Sequence, residues 1–449
     1  MRIIKFIGLT IIAAVTLASC SSLKNMAVPT MDTAISISEK KGIVNDEQVK
    51  HWAHADLVTD TIPGISLDKA YKFLEGKTGE KVIVAVIDSG IDIEHEDLKN
   101  VLWTNTKEIA GNGIDDDNNG YVDDIHGWNY LGGDGVAAPE QLEITRIVAK
   151  MNPRFEGKTI SDINTEDKAD FAKYQEYLKA YKASSAGHFG TLERLEQMKT
   201  MVDGVKKAIG AEALTLEAMK AFETEDETLK AQIQTMSAMF ARGFDEKQLN
   251  DFYETQKKNK NYDFDFDGRA IVGDNPLDIT DTKYGNPNVI GSVDAEIHGT
   301  HVSGIILAER NNGVGMNGVA HNAKLMSLRA VPDGDERDKD IALAIRYAAD
   351  NGAKVINMSF GKSFSPNRHW VFDAIKYAEE KDVLLVHAAG NDGKNIDKSD
   401  NWPTDSKDKV TEFADNVITI GAMSVNYNEG LPAGFSNYGK LNVDVFAPG

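Results

Sequence analysis

Val82-Ile83-Val84-Ala85-Val86-Ile87 runs directly into Asp88-Ser89-Gly90. The run has no polar alternation, and all but Ala85 are β-branched. That is the pattern of a strand covered on both faces, as in a parallel sheet flanked by helices. In such sheets the chemistry gathers at the carboxyl ends of the strands. A carboxylate at such an end needs a partner, because an unpaired buried charge is costly. An imidazole N–H is one good partner.

Further along, strand and helix patterns alternate. Strands are expected at 324–331, 355–359, 383–386, 417–421 and 443–446. Helices are expected from His298 and over 340–350 and about 369–381. This alternation predicts an α/β fold, a mostly parallel sheet of about seven strands with helices on both faces. Between 139 and 260 the composition shifts to Leu, Met, Ala, Lys and Glu, with apolar residues three and four apart. That spacing reads as an inserted helical region, either purely structural or able to gate substrate or bind a partner. The divisions are then 1–19 signal peptide, 20–78 tether or N-terminal extension, 79–138 first part of the main domain with an acidic loop, 139–260 helical insertion and 261–449 second part.

The 449 residues carry a net charge of -21, which disfavours nucleic acid or anionic lipid as an electrostatic partner. The one cysteine, Cys20, excludes an intrachain disulfide. Arg2 and Lys5 precede an apolar stretch over 6–18, which has the length and flanks of a signal peptide rather than a membrane span. Leu17-Ala18-Ser19-Cys20 resembles a bacterial lipobox. The resemblance implies cleavage before Cys20, a lipid on its sulfur, and anchorage to a membrane of the cell envelope, outside the cytoplasm. An ordinary signal peptide with an incidental cysteine is the alternative.

Two further stretches complete the candidate chemistry. His298 opens His298-Gly299-Thr300-His301-Val302-Ser303-Gly304, whose small residues allow close helix packing; His301 reads as a packed structural histidine. Asn391 closes Val386-His387-Ala388-Ala389-Gly390-Asn391, where a side-chain amide can donate to a developing oxyanion. Together with Val355-Ile356-Asn357-Met358-Ser359-Phe360-Gly361, these segments resemble the subtilisin family of serine peptidases, in the order Asp before His before Ser. The resemblance covers about 80–100 and 290–449. It implies endopeptidase action on polypeptide substrates. Asp88 would orient the histidine, His298 would be general base and acid, and Asn391 would help form the oxyanion hole. Ser359, Phe360 and Gly361 match the edge that pairs with an extended substrate backbone.

The family's nucleophile sits in a Gly-Thr-Ser helix start roughly 20 residues past an Ala-Pro-Gly. Here Ala447-Pro448-Gly449 closes the sequence and no Gly-Thr-Ser occurs. The expectation is a truncated chain, inactive as it stands, from an active parent; a natural pseudoenzyme serving as a binding scaffold is the other reading.

Two acidic loops remain. Asp115, Asp117, Asn119 and Asp123 alternate around Gly120, with His126 at the twelfth place. Asp263, Asp265 and Asp267 precede Gly268, with Asp274 at the twelfth place. Both resemble the loop of an EF-hand, which folds successive oxygens around one Ca²⁺. The alternatives are one bound ion, a shared site, an acidic turn-rich surface, or a calcium-dependent interaction module. Asp97 and Asn312 fall near the family's usual calcium position.

Overall fold

The computed structural model describes residues 44–77 and 79–449, so the expectations for the signal peptide and Cys20 lie outside the described residues. The stretch 44–77, within the expected tether or N-terminal extension, is folded. It carries α1 (Asp46–His51), closed at its start by an Asn45–Gln48 capping box, and α2 (Leu67–Leu74). The Tyr71 hydroxyl donates to the carbonyl of Val319 at 2.7 Å, which ties α2 to the main domain.

β1 (Val82–Asp88) is followed by β2 (Gly127–Asn129), then by α3 (Glu143–Phe155), α4 (Lys168–Ile209), α5 (Leu216–Ala221), α6 (Glu227–Phe240) and α7 (Glu246–Lys258). After these come α8 (His298–Leu307), β3 (Ala323–Arg329), α9 (Asp338–Asp350), β4 (Ala353–Met358), α10 (Arg368–Glu380), β5 (Leu384–Ala388), β6 (Val417–Met423) and β7 (Val445–Pro448). The strands form one seven-stranded sheet in the order β2-β3-β1-β4-β5-β6-β7, with every pairing parallel. No helix among the described residues is long and apolar enough to cross a membrane.

β1 shows why its sequence lacks alternation. Ala85 and Ile87 pack into the cluster that contains α9 and α10, while Val84 and Val86 pack into the opposite cluster with Ile91, Leu98 and Leu307. Both faces are therefore buried. β2 has no signal of its own. Three residues are too few to show a period, and its strand identity comes from pairing with Ser327–Arg329 of β3.

The helices between β2 and α8 form two apolar clusters strung along α4. The proximal one holds Ile144, Val148, Phe155, Phe171, Tyr174 and Tyr181; the distal one holds Leu195, Val202, Val205, Met219, Met236 and Leu249. Between them, over 182–194, the only buried residue of α4 is Ser185. Gly187 and Gly190 lie in that stretch, and neither has an atom within 4 Å of where a Cβ would stand.

The proximal helices are fastened to the sheet domain by buried ions. Residues 138–141 run beside 333–335, with the Asp333 N–H donating to Ala138 O at 2.8 Å and the Glu140 N–H to Asp333 O at 3.0 Å. Glu143 accepts from Arg146 Nη2 at 2.5 Å and from Lys362 Nζ at 3.1 Å. Lys362 Nζ also meets Asp338 Oδ1 at 2.8 Å and the carbonyl of Glu336 at 2.7 Å. Burial opposes ionisation of Glu143, but Lys362 and Arg146 outweigh it and hold its carboxyl at about 2. For Glu336 the Lys362 charge offsets only part of the cost, and burial pushes its carboxyl up to about 8.

Lys362 follows the Ser359–Gly361 edge directly, so the helical segment is bolted to one wall of the candidate cleft. Replacing Lys362 with Met leaves Asp338 without this cation in a buried site. The expected loss is about 3–5 kcal/mol of unfolding free energy, read from urea denaturation. A change below about 1 kcal/mol would show that the ion pairs are solvated and do not fasten the helices.

Candidate active site

Asp88 ends β1 with its side chain buried, and His298 begins α8 with its side chain 58% exposed. The imidazole Nδ1 lies 2.9 Å from Asp88 Oδ1 and 3.0 Å from Oδ2. A carboxylate accepts only, so Nδ1 carries the proton and Nε2 is left facing solvent as a base. Asp88 Oδ1 also accepts from the Ser89 N–H at 2.8 Å, which limits its rotation. Two glycines allow the approach. A Cβ on Gly299 would collide with the carbonyl of Gly90 and stand 3.1 Å from Asp88 Cβ, so α8 could not seat against β1. Gly90 itself adopts φ 118°, a region that residues with a Cβ rarely enter.

The hydrogen bond to Asp88 raises the His298 pKa above 6.5; burial pulls the other way, and the Asp88 charge adds to the rise. A raised histidine contributes its full stabilisation below about pH 6.5 and loses it as pH climbs through the folded value. The capacity of Nε2 to accept a proton follows the opposite course, since only the neutral ring has a free lone pair there.

β1, β4 and β5 are neighbours in the sheet. Their carboxyl ends therefore bring Asp88, Ser359 and Asn391 to one rim, about 5 Å per strand apart. Ser359 and Asn391 line one cavity of about 300 Å³ together with Asn357, Gly390, Gly421 and Gly449. Asn391 is exposed, and its amide has no hydrogen-bond partner among the described residues. The backbone of the wall alternates. Phe360 O accepts from His387 Nε2 at 2.9 Å, and Lys362 exchanges two hydrogen bonds with Trp402, whereas the backbone groups of Gly361 find no partner among the described residues. Gly361 thus offers a free edge. Burial pushes His387 down to about 4, which keeps it a neutral donor to Phe360 O.

Several expectations change. His301 is exposed rather than packed; the buried positions of α8 are Gly299, Ser303 and Leu307. In the first acidic loop, oxygens of Asp115 and Asp117 do lie together, but the third member is Glu108, within 4.8 Å of both. Glu108 was missed because it precedes the alternating run. Asp123 turns away to accept from the N–H groups of Asn112 and Gly113, and Asn119 accepts from Tyr121 N–H. The second loop does not form a comparable group among the described residues. Asp274 is buried against Arg269 Nε and Lys339 Nζ, each at 2.6 Å, and Asp263 pairs with Lys260 at 2.8 Å. Asp267 accepts from the Arg269 N–H, while Asp265 stays at the surface. Cations of the chain hold Asp263 and Asp274 apart from Asp265 and Asp267, so the four carboxylates do not converge on one point as the EF-hand spacing implies. Asp97 accepts from Asn312 Nδ2 at 2.7 Å, which brings those two together.

The sequence model of the subtilase family matches residues 79–449. A thermophilic serine proteinase of Bacillus sp. strain AK1 is 40% identical over 190 residues, 41% of this chain and 40% of that protein. Thermitase of Thermoactinomyces vulgaris is 35% identical over 153 residues, 34% of this chain and 49% of the relative. An extracellular basic protease of Dichelobacter nodosus is 35% identical over 164 residues, 34% of this chain and 24% of the relative. The chain thus spans no more than about half the length of these relatives.

Histidine-selective NMR should find His298 titrating above pH 6.5. Asp88→Asn should bring that midpoint to 6.5 or lower, because the burial penalty remains when the carboxylate is gone. An unmoved midpoint would mean that Asp88 does not set the basicity of His298.

Proposed function

The chain belongs to the subtilase family, and on that premise we propose that it carries the acid–base and oxyanion groups of a serine endopeptidase acting on polypeptides. The observation that supports this most directly is the two-oxygen grip of Asp88 on His298 Nδ1, with Nε2 left open. In this reading His298 Nε2 takes the proton of a serine hydroxyl as its oxygen bonds to the scissile carbonyl carbon. Asp88 stabilises the imidazolium that forms. The Asn391 amide donates to the carbonyl oxygen as it becomes negative. A donor of this kind is worth on the order of 10²–10³ in rate, a magnitude measured on a peptidase of this family. His298 then returns the proton to the leaving amine as the C–N bond breaks, and water repeats the sequence on the acyl-enzyme. The free backbone edge of Gly361, beside Ser359 and Phe360, pairs with the extended substrate.

No serine hydroxyl is hydrogen-bonded to His298 among the described residues. The proposal assigns the nucleophile to a Gly-Thr-Ser start that follows Ala447-Pro448-Gly449 in the gene product. The proposed setting is outside the cytoplasm, with Cys20 as the point of lipid attachment and residues 1–19 removed. The helices over 139–260 are proposed to be an insertion within the peptidase domain.

Subtilases commonly bind structural calcium. Glu108, Asp115 and Asp117 are the residues proposed to hold it here, since their oxygens lie within 4.8 Å of one another, close enough to share one cation. The ion would supply local rigidity to the loop, not chemistry.

Two experiments test these readings. A fluorophosphonate probe should label the full gene product once, and His298→Ala should abolish the labelling. A gene product that contains the serine yet never labels would leave a binding scaffold in place of an enzyme. Millimolar Ca²⁺ should raise the thermal midpoint of the wild type, and Glu108→Gln should remove most of that rise. An equal response in both would exclude this loop as the site.

A further inference from the structure

Arg329 ends β3 directly opposite Asp88 in the β1–β3 register, and its side chain is wholly buried. Every guanidinium donor is used. Nε donates to Ser89 O at 3.0 Å, Nη1 to Gly132 O at 2.9 Å and Asn129 Oδ1 at 3.4 Å, and Nη2 to Val136 O at 2.8 Å and Glu296 Oε2 at 2.8 Å. Glu296 is buried too. Its Oε2 also accepts from Ser292 N–H at 2.8 Å, and its Oε1 from Ala138 N–H at 2.9 Å.

These contacts join three segments. Ser89 is the residue after Asp88. Glu296 stands two residues before His298, in the turn that leads into α8. Gly132, Val136 and Ala138 form the path from β2 toward the helical segment. The packing leaves no slack. A Cβ on Gly90 would stand 3.1 Å from Arg329 Cδ and 2.6 Å from Gly291 N, and one on Gly291 would strike the Glu296 carboxylate.

We infer that Arg329, acting through Glu296 and the Ser89 carbonyl, is a positioning residue that sets the distance and angle between Asp88 and His298. Neither Arg329 nor Glu296 is hydrogen-bonded to the imidazole; they fix the two backbones that carry the pair. Lysine cannot reproduce the arrangement, because one ammonium has three donors from a single point where the guanidinium directs five in a plane. Asp88 is the charged group that acts on His298 from the neighbouring strand, so a change in its placement registers at the imidazole. The inference rests on the reading of His298 as the general base, but its primary test reads the imidazole itself and is independent of peptidase activity.

The test compares Arg329→Lys, Glu296→Gln and the double variant R329M/E296L with wild type. Fold is followed by circular dichroism and cooperative melting, and His298 by histidine-selective NMR titration. Replacing a buried ion pair by apolar residues of similar volume commonly restores stability. A purely structural role would leave the His298 midpoint of a folded double variant at its wild-type value. The expected result is that the double variant folds while its His298 midpoint falls toward 6.5, with smaller falls in Glu296→Gln and Arg329→Lys. In the full gene product, kcat should fall roughly 10–100-fold with KM little changed, as misplacement of a reacting group by about 1 Å does. A folded variant, single or double, whose His298 titrates as in wild type would overturn the inference. If the double variant does not fold, Glu296→Gln decides it, since that change retains the Arg329 contacts to backbone.

Discussion

The candidate site depends on one hydrogen-bonded pair whose members lie 210 positions apart in the chain. Closing so long a loop costs less than intuition suggests. The entropy penalty grows with the logarithm of length, about 0.6 kcal/mol per doubling. The sheet domain can therefore host a large helical segment between β1 and α8, provided the two ends of the pair are fixed independently of what lies between. They are fixed by rigid elements. β1 is locked between β3 and β4 with both faces covered, and α8 seats on β1 through Gly299. The intervening helices are joined to the wall of the cleft through Glu143 and Lys362.

Much of this was legible in the sequence because it rests on local pattern. The apolar run of β1 announces a strand buried on both sides, and the strands at 355–359, 383–386 and 417–421 announce themselves in the same way. Asp88 and Asn391 follow such runs, and His298 opens a stretch of small residues. The rest depends on partners distant in sequence. β2 is a strand only because β3 lies beside it. The EF-hand-like spacing at 263–274 is present, yet Lys339, 65 residues on, occupies the carboxylate that the spacing offered to a metal. Glu108 joins Asp115 and Asp117 only after the loop folds back. Arg329 at the end of a buried strand did carry a signal, since a wholly buried guanidinium requires a set of acceptors. Which acceptors it finds is a matter of tertiary structure. The stretch 44–77 looked like a tether because its helices are short, and what holds them is distant in sequence: Tyr71 meets Val319, His321 and Arg310.

The excess negative charge of the chain also looks different once folded. In the region joining the helices to the sheet, acids and bases are interleaved. Glu140 meets Arg337 and Arg146, Glu143 meets Arg146 and Lys362, and Asp340 meets Arg269. Buried pairs of this kind add little net stability over apolar packing. They do penalise any misregistered docking, because a shift leaves a charge unpaired in a dry site. The surplus carboxylates lie largely in exposed loops and on helix surfaces, where solvent screens them.

α4 has a mechanical consequence of its own. Its 42 residues make a rod of about 63 Å. The first third is clamped to the sheet domain through the proximal cluster, and the last third carries the distal cluster. The section between is supported mainly by Tyr262, which touches Ser184 and His188, and contains two glycines in open space. Glycine within a helix weakens it by about 1 kcal/mol per residue relative to alanine. The rod is thus a cantilever whose softest cross-section lies near its middle. About half of its length extends beyond that section, so each degree of bending there displaces the tip by roughly half an ångström. The glycines are thus where bending of the distal helices relative to the sheet domain costs least.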